Sequence, residues 1–586
     1  MKDRIFPSWS EIEKLHNPLT EGERRLACFL DSVLPEEWKI FVQPFLNGSR
    51  PDIIIFNPKV GLMIFEVKDW DLDVYRIEDK NLLVCSSSNW YEVGSPFDKV
   101  RFYRRLLADI LFPLLGKVMG RDRRAYGIIK EAVYFHKVKG NKARGFWRAL
   151  QNKSRYPLVL GYDDLHVSNL KNVVPDYTRQ HSRYFKKEWE NEILFWLKPP
   201  YHEKERTNPL RLNKEQQKHG EPTPGHHRLR GPTGSGKSFV IAYRAAKLAS
   251  MGHKVLVVTF NITLGHYIRD LIQRAPFDFK WENIKIIHFH GFCNELINKL
   301  ELPPPGDFLR DVPRVIVEKI EESSYKNKIK KDYLFDAILI DEGQDFEWEW
   351  YKFLCKFLSD RDELLLACDK AQNIYKRKLD WIYNMKGTKF RGRWGELKTI
   401  YRFPLKIARF ANSFSKTFNI YQDVVYEKVV PLFDQPDIIE WRNINYKDWL
   451  QEVYVAFNEI KEILKKKGKG HPSDIVILLS SHNEGLMAVE FFEKINIEVN
   501  HVFQRRAGIT QKISFYPGDS RLKMCTIHSF KGWEAQHVIL LIPKEWKENE
   551  NLDALIYTAI TRTQKNLIVL NCNKRYHSFG ESLRKV

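Results

Sequence analysis

At 586 residues, 43% hydrophobic, 13% aromatic and 29% charged, the chain has ample material for buried cores, which excludes a disordered polypeptide and implies about three to five folded units. Lys and Arg outnumber Asp and Glu by 95 to 74, and the resulting +21 favours a polyanionic partner through counterion release. The cysteines lack C-x-x-C pairing, the first residues carry no apolar leader core, and no apolar run reaches about 18 residues, so a reduced, cytoplasmic protein that spans no membrane is expected.

Residues 1–198 read as one α/β domain, mixing amphipathic helices with short apolar strands at Asp52 to Phe56 and Leu62 to Val67. A hairpin centred on Lys59 puts Asp52 directly opposite Glu66, with Lys68 two residues on along the same face, so two carboxylates and a lysine converge at one sheet edge. Such a cluster is costly unless a divalent cation neutralises the acids, and that ion could activate water against a phosphodiester while Lys68 orients it. Glu23 opens a helical pattern with Leu26, Phe29, Leu30 and Val33, from which it can project toward the same place.

This spacing resembles the PD-(D/E)xK nuclease signature. With Gly22-Glu23-Arg24-Arg25 and Leu160-Gly161-Tyr-Asp-Asp164-Leu165 it is similar to the nuclease-related (NERD) domain over roughly residues 15–175. The resemblance implies a nuclease fold with Asp52 and Glu66 as ligands of Mg²⁺ or Mn²⁺, Glu66 and Lys68 as catalytic groups, and Glu23 as an accessory. One departure is visible: after Ser95-Pro96-Phe97-Asp98 the chain has Lys99 where the family commonly has Gln.

Residues 199–227, proline-rich and charged, read as a linker whose end already meets the next domain. Beyond it, apolar runs at Val255 to Thr259, Ala337 to Ile340, Leu364 to Ala367, Ile475 to Leu479, Val538 to Ile542 and Leu567 to Leu570 alternate with helical patterns. Strands that are apolar throughout imply parallel sheets covered on both faces, here two lobes at 228–395 and 396–586.

Gly231-Pro-Thr-Gly234-Ser-Gly236-Lys237-Ser238 fits a phosphate loop opening a helix. Its glycines let backbone N–H groups curl around phosphates, Lys237 supplies charge to the β and γ groups, and Ser238 can ligate Mg²⁺. Asp341 and Glu342 end a buried strand, where the first would hold Mg²⁺ and the second would act as general base on the attacking water.

The string Asp341-Glu342-Gly343-Gln344-Asp345 resembles the second motif of superfamily 1 helicases, and six further strings follow that family's order. They are Leu212-Asn213-Lys-Glu-Gln216, Val258-Thr259-Phe260-Asn261, Cys368-Asp369-Lys-Ala-Gln372-Asn-Ile-Tyr375, Tyr401-Arg402, Thr526-Ile-His528-Ser529-Phe-Lys531-Gly532-Trp-Glu534 and Tyr557-Thr-Ala-Ile-Thr561-Arg562-Thr563. Together they look like the UvrD-like branch, with two RecA-like lobes. The stretches His290–Ile338 and Ser481–Lys523 leave room only for reduced accessory subdomains.

By position, the resemblance implies that Gln216 binds adenine, Tyr401 stacks on it and Glu534 touches the ribose. Arg402 and Arg562 would reach the γ-phosphate of ATP from the second lobe, Gln372 would sense it, and Phe260 and Tyr375 would stack bases of a single strand. The expected protein is therefore an ATP-dependent translocase on single-stranded or partly duplex DNA, fused to a metal-dependent endonuclease. Fusions of this kind resemble bacterial anti-phage systems. A non-cleaving binding module on the same motor is the alternative, RNA stays open as the polymer because nothing reads a 2′-hydroxyl, and the oligomeric state is not legible.

Overall fold

The computed structural model describes residues 4–583 except 14, 16–17, 47–49, 79–80, 87–88, 111–122, 148–156, 201–207, 302–312, 314, 317, 319–332, 370–371, 373–376, 402–403, 421–427, 430–435, 469, 505–514, 516–517 and 547–550. Its first sheet has six strands, β1 (Ile5–Phe6), β2 (Lys39–Val42), β3 (Ile53–Asn57), β4 (Gly61–Lys68), β5 (Ile129–Phe135) and β6 (Leu158–Gly161), hydrogen-bonded in that order. β3 and β4 form the expected hairpin, with Ile53 opposite Phe65 and Asn57 opposite Gly61, the register that carries Asp52 to Glu66.

The expected sheet edge is corrected: β4 is interior, pairing on its far side with β5 so that Glu66 lies beside Val133. The strand's own composition is the reason. Gly61 to Val67 are all buried, and a strand apolar on both faces needs cover on both. Leu62 and Ile64 pack under helix α2 (Pro96–Ile110), and Met63, Phe65 and Val67 pack against helix α1 (Glu21–Val33).

The second sheet contains β7 (Gly225–Arg230), β8 (Val255–Thr259), β9 (Ile284–His288), β10 (Phe335–Ile340), β11 (Leu358–Cys368) and β12 (Gly395–Glu396). Its order is β9-β8-β10-β11-β7-β12 with every pairing parallel. The third contains β13 (Ile439–Asn443), β14 (Ile475–Leu479), β15 (Val499–His501), β16 (Leu522–Thr526), β17 (Ala535–Ile542) and β18 (Thr563–Asn571). It runs β13-β18-β17-β14-β16-β15, again parallel. All six apolar runs read from the sequence lie in these two sheets.

Further helices follow the first sheet in the chain. In chain order, α3 (Glu190–Leu197) closes the N-terminal unit, α4 (Lys214–Gly220) lies within the stretch read as linker, and α5 (Lys237–Ser250) follows the phosphate-loop string. On one face of the second sheet, α5 packs with α6 (Leu264–Gln273).

α3 is shared between two cores. Ile193 and Leu197 belong to the core of the first sheet, whereas Phe195 and Trp196 belong to that of the third. Its Glu192 accepts a hydrogen bond from Lys465 and stands 3.5 Å from Lys461, both on helix α7 (Trp449–Lys466). Among the described residues no helix is long and apolar enough to cross a membrane.

Candidate active sites

Two polar sites are built on these sheets. At the C-terminal ends of β7 and β10, the phosphate-loop string turns tightly, with Gly234 and Gly236 at φ +81° and +89°. A Cβ on Gly236 would stand 2.3 Å from Gln216 Nε2, so glycine is what admits Gln216 to the loop. Gln216 Nε2 donates to the Ser235 carbonyl at 2.9 Å, and its Oε1 accepts from Asn213 N at 3.1 Å in the capping box that starts α4.

Lys237 Nζ is buried and donates to the carbonyls of Gly231 at 2.8 Å and Pro232 at 3.1 Å, with Asp369 Oδ2 at 3.4 Å. Ser238 Oγ donates to Asp341 Oδ2 at 2.7 Å, tying the loop to the end of β10. Glu342 holds φ +54°, a left-handed conformation costly for a residue with a Cβ, and its carboxylate accepts from Gln344 Nε2. Burial, reinforced by Glu342, pushes Asp341 up to about 6. Burial acts the same way on Glu342, but Lys531, Arg562 and Lys237 outweigh it and hold that carboxyl below its ordinary value. Glu342 is therefore an anion at neutral pH, the state in which it can accept a proton.

The second lobe reaches into this cluster. Arg562, 2% exposed, donates to Gln372 Oε1 and lies 3.6 Å from Glu342 Oε1. Gln372 Nε2 donates to Thr233 Oγ1 at 2.5 Å and to Asp369 Oδ2 at 2.6 Å. An unbroken polar chain thus joins the phosphate loop, Gln372 and the opposite lobe. Lys531 closes the cleft beside it, donating to both oxygens of Asp345 at 2.7 Å and to the Gln372 carbonyl at 2.7 Å.

Tyr401 N donates to the Gly234 carbonyl at 3.1 Å and its Oη accepts from Asn213 Nδ2 at 2.8 Å, which sets it between loop and α4. Glu534 is bound from both lobes, by Tyr267 Oη of α6 at 2.8 Å and by Gln564 Nε2 at 2.6 Å. Phe260 stacks on Trp350 at 5.9 Å and 14°, and meets His290 edge-on, so part of its ring is spent on the lobe's core. Arg402 and Tyr375 lie outside the described residues. Thr233, Asp369, Asp345 and Lys531 all stand inside the motif strings but had no role of their own read from the sequence; only the fold shows them to be partners.

The second site lies where β3 begins and β4 ends. Glu66 is fully buried, and its Oε1 accepts from Lys68 Nζ at 2.5 Å and from Lys99 Nζ at 2.7 Å. Its Oε2 is buried with no hydrogen-bond partner among the described residues. Asp52 Oδ2 accepts from Val67 N at 2.6 Å. Burial first, and then the charge of Glu66, pushes Asp52 up to about 7.

Glu23 is brought within electrostatic reach of Asp52 and Glu66, because Gly22 lets α1 approach the end of β4; a Cβ there would lie 2.1 Å from Asp69 Oδ1. Its carboxylate is nevertheless turned to its own helix start, accepting from Thr20 N at 2.9 Å and from Gln43 Nε2 at 3.3 Å. Asp164 serves its own turn, accepting from Gly161 N and from Arg144 Nη1, each at 2.8 Å. Among the described residues no three His, Cys, Asp or Glu side chains form a metal cage. What fits a divalent ion is narrower: the buried Oε2 of Glu66, unpartnered among the described residues and within electrostatic reach of the Asp52 carboxyl.

A nuclease-related domain model matches residues 19–136, an AAA domain model matches 223–378, and a UvrD-like helicase C-terminal domain model matches 523–570. A comparison with curated proteins found no match. The matched segments fall in order on the three sheets just described, so the chain carries a nuclease-related domain, then an AAA domain and a UvrD-like helicase C-terminal domain.

Proposed function

We propose that the chain is an ATP-hydrolysing motor that travels on single-stranded DNA and carries a divalent-metal-dependent nuclease to the strand it has engaged. In this reading Gln216 and Tyr401 hold adenine, Glu534 the ribose, and Gly231, Gly234, Gly236 and Lys237 the phosphates. Ser238 and Asp341 hold Mg²⁺, and Glu342 takes the proton of the attacking water. The observation that supports it most is the link Arg562–Gln372–Thr233. A cation delivered from one lobe to the phosphate loop of the other stabilises transition-state charge only when the cleft is closed, so turnover becomes coupled to lobe motion.

At the nuclease site a bound Mg²⁺ or Mn²⁺ would neutralise Asp52 and Glu66 and lower the pKa of an attacking water. Lys68 would orient that water. Fusion to the motor raises the effective concentration of the nuclease at engaged DNA. Restriction of phage DNA is the biological role for which the resemblance to defence fusions is the support.

ATP turnover measured with single-stranded DNA and with RNA tests the motor. DNA should stimulate the wild type, Lys237→Ala should abolish turnover, and Arg562→Ala should lower kcat by at least about 100-fold with little change in ATP affinity. Substantial DNA-stimulated turnover in Lys237→Ala would sink the site assignment, and stimulation by RNA alone would change the polymer. One observation favours a second reading, a non-cleaving anchor: Lys68 and Lys99 already neutralise Glu66 without a metal.

A further inference from the structure

The two ammonium groups on Glu66 Oε1 are not equivalent. Lys68 follows Glu66 on the same strand, its side chain is 18% exposed, and its amine lies 5.5 Å from the Trp70 ring. Lys99 arrives from the first turn of α2, its side chain is 44% exposed, and its amine lies 5.6 Å from the Tyr103 ring. Lys68 is thus held within the site, whereas Lys99 stands at its mouth on a four-carbon stem. The carboxylate they share is fully buried and keeps one oxygen without a hydrogen-bond partner among the described residues.

A divalent ion taking that unpartnered oxygen would set two more positive charges beside two ammonium groups already crowded on one carboxylate. Repulsion of that kind expels the cation that can most easily regain water, which is the more exposed one. We propose that Lys99 is a positioning residue with two stations, guarding Glu66 while the site is metal-free and moving to the phosphodiester at the mouth once a divalent ion has taken Glu66. An ammonium on a flexible stem suits both stations, being a compact charge with three donors that binds carboxylate and phosphate alike. A glutamine there could reach Glu66 but would bring no charge to either. The inference rests on the nuclease reading above and assigns it a substrate-holding group.

The test titrates Mn²⁺ calorimetrically into nucleotide-free wild type, Lys99→Gln and Lys99→Arg, with Glu66→Ala as the blank, and measures cleavage of a short DNA oligonucleotide by the same proteins. DNA-stimulated ATP turnover, which Lys99 does not touch, reports that each variant is folded. Removing the competing ammonium should tighten Mn²⁺ binding in Lys99→Gln by about tenfold, the scale of one charge-assisted hydrogen bond. The same variant should raise KM for the oligonucleotide by about tenfold with kcat within about threefold, and Lys99→Arg should restore KM. Unchanged or weaker Mn²⁺ binding in Lys99→Gln, or a fall in kcat at constant KM, would overturn the proposal. A wild type that binds Mn²⁺ but cleaves nothing would remove the nuclease reading and the phosphate station with it, leaving the guard role to stand or fall on the Mn²⁺ titration.

Discussion

Lys531 and Asp345 show how much of the contact between the two helicase-like lobes rests on single buried charges. Both side chains are 2% exposed and they meet across the cleft with two contacts of 2.7 Å, so each is the other's means of being charged away from water. Burial still pushes Asp345 up to about 6 despite that partner. Lys531→Met should therefore destabilise the chain by about 3 kcal/mol, by stranding Asp345 in the interior. Asp345→Asn with Lys531→Met should recover most of that loss in a denaturant melt while ATP turnover stays low. A double variant no more stable than the single would show that the pair is not what holds the lobes together. At this scale the sequence is legible where a contiguous string marks a local shape: the phosphate-loop glycines with Lys237 and Ser238, and Asp341 with Glu342 at a strand end, could be picked out because a loop or a strand end delivers them together. Lys99 shows in the sequence only as a departure at a position bearing on the metal or phosphate contact, and Thr233 and Asp369 show no role there, since each meets a partner between 33 and 139 positions away.

Among the elements, the strands read from the sequence all carry apolar runs, and interior strands with polar residues were not read. β7, whose residues are Gly-His-His-Arg-Leu-Arg, and β16, Leu-Lys-Met-Cys-Thr, lack the apolar run that marked β8 or β14. They are nonetheless interior because their polar groups are satisfied there: His226 Nδ1 pairs with Tyr351 Oη at 2.7 Å, and Lys523 Nζ donates to the Asp519 carbonyl at 2.7 Å. Helix α3 was not singled out either, as eight residues that bury both faces carry no clear helical stripe. His471 sits at the junction α3 makes, fully buried, with its ring 5.5 Å from Phe45 of the first unit and 6.5 Å from Trp196 of α3. Burial, with Lys523 adding to it, pushes this imidazole down to about 3. The folded state thus binds fewer protons than the unfolded chain, so the stability this group contributes is complete above about pH 6.5 and is lost as pH falls toward 3. Lowering the pH from 7.5 to 5 should cost the wild type about 2 kcal/mol more than it costs His471→Asn, measured in urea melts. Equal losses would mean that His471 is not the buried neutral group described.

For the whole molecule, the order of units and the parallel character of both lobes were legible because apolar strands alternating with helices admit few other arrangements. How the nuclease-related unit meets the helicase-like lobes was not, because that depends on α3 giving Phe195 and Trp196 to one core and Ile193 and Leu197 to another. The arrangement fastens the nuclease-related unit to the second lobe, the lobe that also supplies Arg562 and Lys531. The central claim, that one chain both moves along DNA with ATP and cuts it, is tested most directly by cleavage of labelled single-stranded and duplex DNA. Wild type, Glu66→Ala and Lys237→Ala would be compared with Mg²⁺ or Mn²⁺, with and without ATP. The account predicts metal-dependent cleavage that Glu66→Ala abolishes and that responds to ATP in the wild type but not in Lys237→Ala. Cleavage undiminished in Glu66→Ala, or none from the wild type under any of these conditions, would contradict it.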